Sequence, residues 1–160
     1  DGSVVTVLDR VTISNGIVWS SDHATMYYID TPTDRVDAFD YDAATGAISN
    51  RRTAVEITPG TGYPDGMTID AEDMIWVAHW DGWRVTRWDP REGRLLSTVE
   101  LPVARPTSCV FGGPDLGTLY ISTARMGLSE EELSEQPDAG RLFALDPGSA
   151  GLSPFRYKGG

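Results

Sequence analysis

The chain writes the same short pattern three times, with a period near 50 residues. Met26-Tyr27-Tyr28-Ile29 matches Met74-Ile75-Trp76-Val77 at an offset of 48, and Arg35–Asp40 matches Arg84–Asp89 at an offset of 49. "DAATG" (42–46) answers "DPREG" (89–93), and a third copy runs through "TLYIST" (118–123) and "RLFALDPGSAG" (141–151). Each copy reads polar-Gly, strand, turn, strand, turn, strand, Asp-x-x-x-Gly, strand. The runs are short and rich in Val, Ile, Tyr, Trp and Thr, which suits strands and not helices. Four short strands recurring every 40–50 residues or so are the signature of propeller blades. Unrelated hairpins in a sandwich would not keep a fixed order. The expected fold is all-β, a β-propeller, with blades at 13–57, 63–101 and 106–160.

Residues 1–12, with "SVVTVLDRV" at 3–11, read as the tail of a preceding blade. Three blades do not close a ring, and an open ring exposes strand surface that should be buried. The expectation is a C-terminal half of one propeller domain, completed by a missing N-terminal half, a second chain or a second copy. The one helical candidate is "SEEELSEQ" (129–136), with Ser129 as cap and an acidic first turn. It has almost no apolar face and reads as an exposed insertion.

Composition narrows the partners. The net charge is −11, which disfavours nucleic acid and anionic membranes and is permissive for a cation. No apolar run is long enough to span a bilayer, and no signal peptide is visible. A single cysteine, Cys109, excludes an internal disulfide framework and suits a reducing compartment, so the expected location is cytoplasmic.

Two motifs fall in phase within the repeat. "SNG" places Asn15 and "PDG" places Asp65 fifty residues apart, and Ser108 follows 43 residues later. Asn-Gly and Asp-Gly are common turn signals, so two plain turns are one reading. The other is that both open the innermost strand of a blade, where side chains face a central channel. A carboxylate and an amide carbonyl are hard oxygen donors, suited to Ca²⁺ or Mg²⁺ and acceptable to Zn²⁺ or Mn²⁺.

Taken together, "ISNGIVWSSDHATMYYIDTPTDRVDAFDYDAATGAISNRR", "PDGMTIDAEDMIWVAHWDGWRVTRWDP", "PTSCVFGG", "LYISTAR" and "QPDAGRLFAL" resemble the SMP-30/gluconolactonase/regucalcin family. The resemblance runs nearly end to end but covers only the second half of the family's usual length. It implies a six-bladed propeller, of which this chain holds the last three blades. It also implies one divalent cation in the channel and hydrolysis of a sugar lactone, or regucalcin-like Ca²⁺ binding. The family's "SNG" and "PDG" ligands fall on Asn15 and Asp65, and Asp65 is implied as general base as well as ligand. The family's third ligand, a Glu, and its substrate-contacting Arg and Asn belong to the half with no counterpart here.

The other notable residues carry plainer readings. His79 reads as a structural or exposed imidazole, and His23 as a solvent-facing turn residue. The five Trp residues read mostly as packing, with one or two free to line a sugar pocket. Cys109 reads as a buried small hydrophobe. Arg125 and Met126 read as a rim at the channel mouth. Asp40 and Asp42 read as turn residues, since "DYDAATG" lacks the rest of a Ca²⁺ loop. No nucleophile elbow, Walker motif or dinucleotide fingerprint is present.

Overall fold

A computed structural model describes residues 3–154. Its described part is three antiparallel sheets, one short α-helix and one 3-10 turn (Thr31–Thr33). The first sheet runs β1 (Ser14–Trp19), β2 (Thr25–Asp30), β3 (Arg35–Tyr41), β4 (Ile48–Glu56), each strand paired with the next. The second runs β5 (Tyr63–Ile69), β6 (Ile75–Trp80), β7 (Arg84–Asp89), β8 (Arg94–Glu100) in the same order. The third has β9 (Pro106–Gly112), β10 (Thr118–Thr123) and β11 (Leu142–Leu145). The last six residues of the unit expected at 106–160 lie outside the described residues.

The first strands of the three sheets lie side by side, β1 against β5 and β5 against β9. Strands that are apolar on both faces hold the sheets together. Ile29, Val36, Val55, Ile75 and Val77 fill the space between the first two sheets. Trp76, Val85, Cys109, Leu119 and Ile121 fill the space between the second and third. The middle sheet therefore contributes alternate residues of β6 to each core, Ile75 and Val77 to one side and Trp76 and Ala78 to the other. Cys109 is buried as expected, and burial pushes its thiol up to about 12, so it is inert.

Buried charges are satisfied in the loops. Asp70 is fully buried and accepts from the backbone of Glu72 and Met74, from Trp76 Nε1 at 2.9 Å and from Arg87 Nε at 2.8 Å. That network fixes the β5–β6 turn, because a buried carboxylate without donors is costly. The helix α1 (Glu130–Glu135) has the expected cap: Ser129 and Glu132 form a reciprocal capping box.

One expectation changes. Asp40 lies in β3, where its carboxylate accepts from Asn50 Nδ2 at 2.5 Å and Arg52 Nη1 at 2.7 Å; only Asp42 serves the turn, capping Ala44 and Thr45. Residues 3–13 form no strand, although Leu8 and Val11 pack against Met26, Tyr28 and Phe39. Their backbone goes elsewhere: the Thr12 and Ile13 amides both donate to the buried Asp30 carboxylate. Trp83 does not pack between sheets; it sits at the β6–β7 turn with positive φ, 41% exposed.

Candidate functional site

The two polar-Gly motifs are not turns. Asn15-Gly16 lies inside β1 and Asp65-Gly66 inside β5. Each sits on a β-bulge: pairing skips between Ser14 and Ile17 against β2, and between Pro64 and Met67 against β6. The third sheet skips at the same place, between Pro106 and Ser108 against Thr123 and Ser122. The register makes Asn15, Asp65 and Thr107 one position of the repeat. Bulges insert a residue and re-aim side chains, and here the same device recurs in all three first strands.

The glycines have a steric role, not a conformational one. Neither Gly16 nor Gly66 has positive φ. A Cβ on Gly16 would meet Asp65 O and Met67 N at 2.9 Å, and a Cβ on Gly66 would meet Ser108 Cβ at 2.5 Å. The first strands therefore approach closely only because these positions lack a side chain.

Asn15 and Asp65 line one cavity of about 540 Å³. Thr31, which opens the 3-10 turn Thr31–Thr33 just after β2, lines it too. The Asn15 Nδ2 donates to Thr31 Oγ1 at 3.1 Å, and that hydroxyl donates to the Pro64 carbonyl at 2.9 Å. This relay couples the first sheet to the bulge of the second and fixes the Asn15 amide, so that its oxygen is the donor left for a cation. The remaining walls are apolar: Ile13, Pro32, Tyr63, Trp80 and Met126.

Asp65 is half-buried, and burial raises its carboxyl above the usual range; a hydrogen bond from Asn15 partly offsets this. Among the described residues, no cationic side chain contributes to its charge balance. A desolvated carboxylate with an amide side chain donating to it fits part of a hard-cation site. The set is short of a full one, since no three His, Cys, Asp or Glu side chains converge among the described residues.

His79 stands cross-strand from Pro64 but does not enter the cavity. Its Nε2 meets Thr86 Oγ1 at 2.6 Å, and that hydroxyl accepts from Trp88 Nε1 at 2.7 Å. Indole can only donate, so Thr86 Oγ1 accepts from Trp88, while the direction of its bond with Nε2 follows the imidazole tautomer. Nδ1 lies toward the backbone of Thr61 and Gly62 without completing a hydrogen bond. Burial, helped by the charge of Arg84, pushes the ring down to about 4. Of the two readings its sequence context allows, His79 is the structural one, a buried neutral imidazole and not an exposed one.

Of the expected rim, Met126 reaches the cavity. Arg125 does not; its side chain packs over Gly140. Sequence reading passed over Ile13, Tyr63 and Arg105. A signal existed: each immediately precedes the residue at which the bulge begins (Ser14, Pro64 and Pro106), so the three hold one phase of the repeat, two places before Asn15, Asp65 and Thr107.

Residues 1–125 match the SMP-30/Gluconolactonase/LRE-like region. Regucalcin of Danio rerio is 49% identical over 160 residues, which is 99% of this chain and 54% of that protein. A solved calcium-binding protein, regucalcin from Agrobacterium tumefaciens, superposes with a TM-score of 0.89 at 31% identity, over 94% of this chain and 51% of that one. A gluconolactonase from Xanthomonas campestris superposes with a TM-score of 0.58 at 28% identity, over 68% of this chain and 34% of that one. The chain belongs to the SMP-30/gluconolactonase/LRE-like family, and its all-β sheets have the family's propeller fold as neighbours. It spans about half the length of the curated relatives it matches.

Proposed function

We propose that this chain forms the last three blades of a six-bladed propeller that hydrolyses a sugar lactone with one divalent cation. The observation carrying this reading is the convergence of Asn15 and Asp65, from equivalent bulges of adjacent strands, on one apolar-walled cavity. Family membership supports the reaction class. Because the chain spans about half of its relatives, the activity is assigned to the completed propeller, whether a longer chain, a second chain or a second copy supplies the rest.

Asn15 and Asp65 would hold the cation, which when bound polarises the lactone carbonyl and acidifies a water. Thr31 keeps the Asn15 amide oriented through the relay to the Pro64 carbonyl. Asp65 takes one proton from the attacking water and returns it to the ring oxygen as the acyl C–O bond breaks. Burial helps here, since it raises the proton affinity of a carboxylate that a cation would otherwise depress. The apolar walls exclude competing water and receive the C–H face of a sugar ring.

A second reading is Ca²⁺ binding without turnover, favoured by the calcium-binding regucalcin relative. A panel of sugar lactones, assayed with and without Mn²⁺, Zn²⁺ or Ca²⁺, separates the two. The lactonase reading expects metal-dependent turnover that Asp65→Ala abolishes while the protein stays folded. Tight metal binding with no turnover of any lactone would sink it and leave the binding reading.

A further inference from the structure

Arg105 stands just before β9, outside the cavity, yet it touches two parts of its wall. Its guanidinium carbon lies 4.8 Å from the Trp80 ring centroid. Its Nε donates to Asp81 Oδ1 at 2.6 Å, and its Nη1 donates to the Met126 carbonyl. The side chain is only 14% exposed. The segment after β10 passes close above it: a Cβ on Gly127 would lie 3.0 Å from Nη1, and Gly127 has a φ of +77°. The Ala124 amide also donates to the Arg105 carbonyl at 2.9 Å.

Met126 needs such a fastening. It is 73% exposed and belongs to none of the three cores, so hydrophobic burial does not set its position. Trp80 is paired with Tyr63 across the β5–β6 ladder and lines the cavity with it. A planar guanidinium can lay one face on an indole while its edge donates to two acceptors. Lysine has the charge but neither the plane nor the fork.

We propose that Arg105 is a positioning residue: it fastens the Met126 segment beside Trp80, so that the two form one apolar wall receiving the C–H face of a cyclic polyol or lactone. The cavity's polar groups are few, Asn15, Thr31 and Asp65. They fix one edge of a ligand, and the wall sets the orientation of its ring. The proposal rests on the reading of this cavity as the ligand site.

The test uses methyl-¹³C methionine NMR on the 160-residue chain. It has four methionines, and Met26, Met67 and Met74 are buried. Met67, two residues from Asp65, reports Ca²⁺, and Met126 reports 1,5-anhydroglucitol, a ring polyol that cannot be hydrolysed. In the wild type the Met126 methyl should stand away from its free-chain position and move with the polyol. In Arg105→Lys it should fall to the free-chain position, with polyol affinity about tenfold weaker. The other three methyls and the Ca²⁺ response of Met67 should be unchanged. Met126→Ala, at an exposed side chain, should weaken the polyol several-fold with no folding risk. An unmoved Met126 methyl in Arg105→Lys, no polyol response in the wild type, or wild-type polyol affinity in Met126→Ala would each overturn the proposal. A Met67 methyl blind to Ca²⁺ counts against the metal reading alone, since the Met126 shift and polyol affinity still decide the role of Arg105.

Discussion

Gly66→Ala should be among the most damaging single-methyl additions in this chain. The new Cβ would lie 2.4 Å from Ser108 Oγ, 2.5 Å from Ser108 Cβ and 2.7 Å from Thr107 O. Heavy atoms in contact sit about 3.5 Å apart, so β5 and β9 would have to separate by roughly 1 Å. A serine hydroxyl can rotate away; a Cβ and a backbone oxygen cannot. Overpacking of this kind costs about 1–3 kcal/mol, and the rigid obstacles put Gly66→Ala near the upper end. The backbone itself adds nothing, because Gly66 does not have positive φ. Ser108→Gly removes two of the three obstacles and leaves Thr107 O. A double-mutant cycle should therefore return a coupling of about 1–2 kcal/mol, a partial rescue. Urea unfolding of the four proteins measures this, with unchanged m-values showing that only stability moved. A Gly66→Ala cost under about 0.5 kcal/mol, the range of an ordinary surface change, would refute the close-approach argument. So would a coupling near zero.

Two further outcomes follow from buried titratable groups. His79 is held down to about 4 by burial, against an unfolded value of about 6.5, so the unfolded chain binds more protons between these values. Its contribution is fully present above about pH 6.5 and is lost as pH falls toward 4, by roughly 3 kcal/mol at most; an imidazole NMR titration should find the ring neutral at pH 5.5, and a charged ring there would contradict its burial. Asp65 has the opposite sense: burial raises it, so its charge destabilises the metal-free protein as pH rises through its folded value. Asp65→Asn should raise the metal-free urea midpoint at pH 7. It should also abolish the gain from Ca²⁺, about 2.7 kcal/mol at a hundredfold excess over Kd in the wild type.

Much of the fold was legible because its signal is periodic. Repeated β-branched and aromatic runs located β7 and β10 to the residue and β3 to within one position. The capping box at Ser129 and Glu132 is local chemistry and reads directly. What sequence alone left open was whether Asn15-Gly16 and Asp65-Gly66 turn the chain or sit within it. A dipeptide signals turn propensity, whereas a bulge depends on the pairing partner, which no local window contains. Arg105 was passed over for a related reason. Its partners Asp81, Trp80 and Met126 are distant in sequence, and an arginine before a proline carries no motif. Only its phase relative to Ile13 and Tyr63 betrays it.

The bulges also have a consequence for how such a protein can vary. At the start of each first strand, one residue of the repeat (Asn15, Asp65, Thr107) is set apart from the next (Gly16, Gly66, Ser108), which governs how closely neighbouring strands approach. In the first two sheets, cavity chemistry (Asn15, Asp65) and inter-strand spacing (Gly16, Gly66) are thus written in separate, adjacent letters. A change in the first alters the charge offered to a ligand without adding bulk where the strands meet, and a change in the second does the reverse. A lineage can exchange one reactive group for another at the first letter, one repeat at a time, while the frame that holds it stays in place.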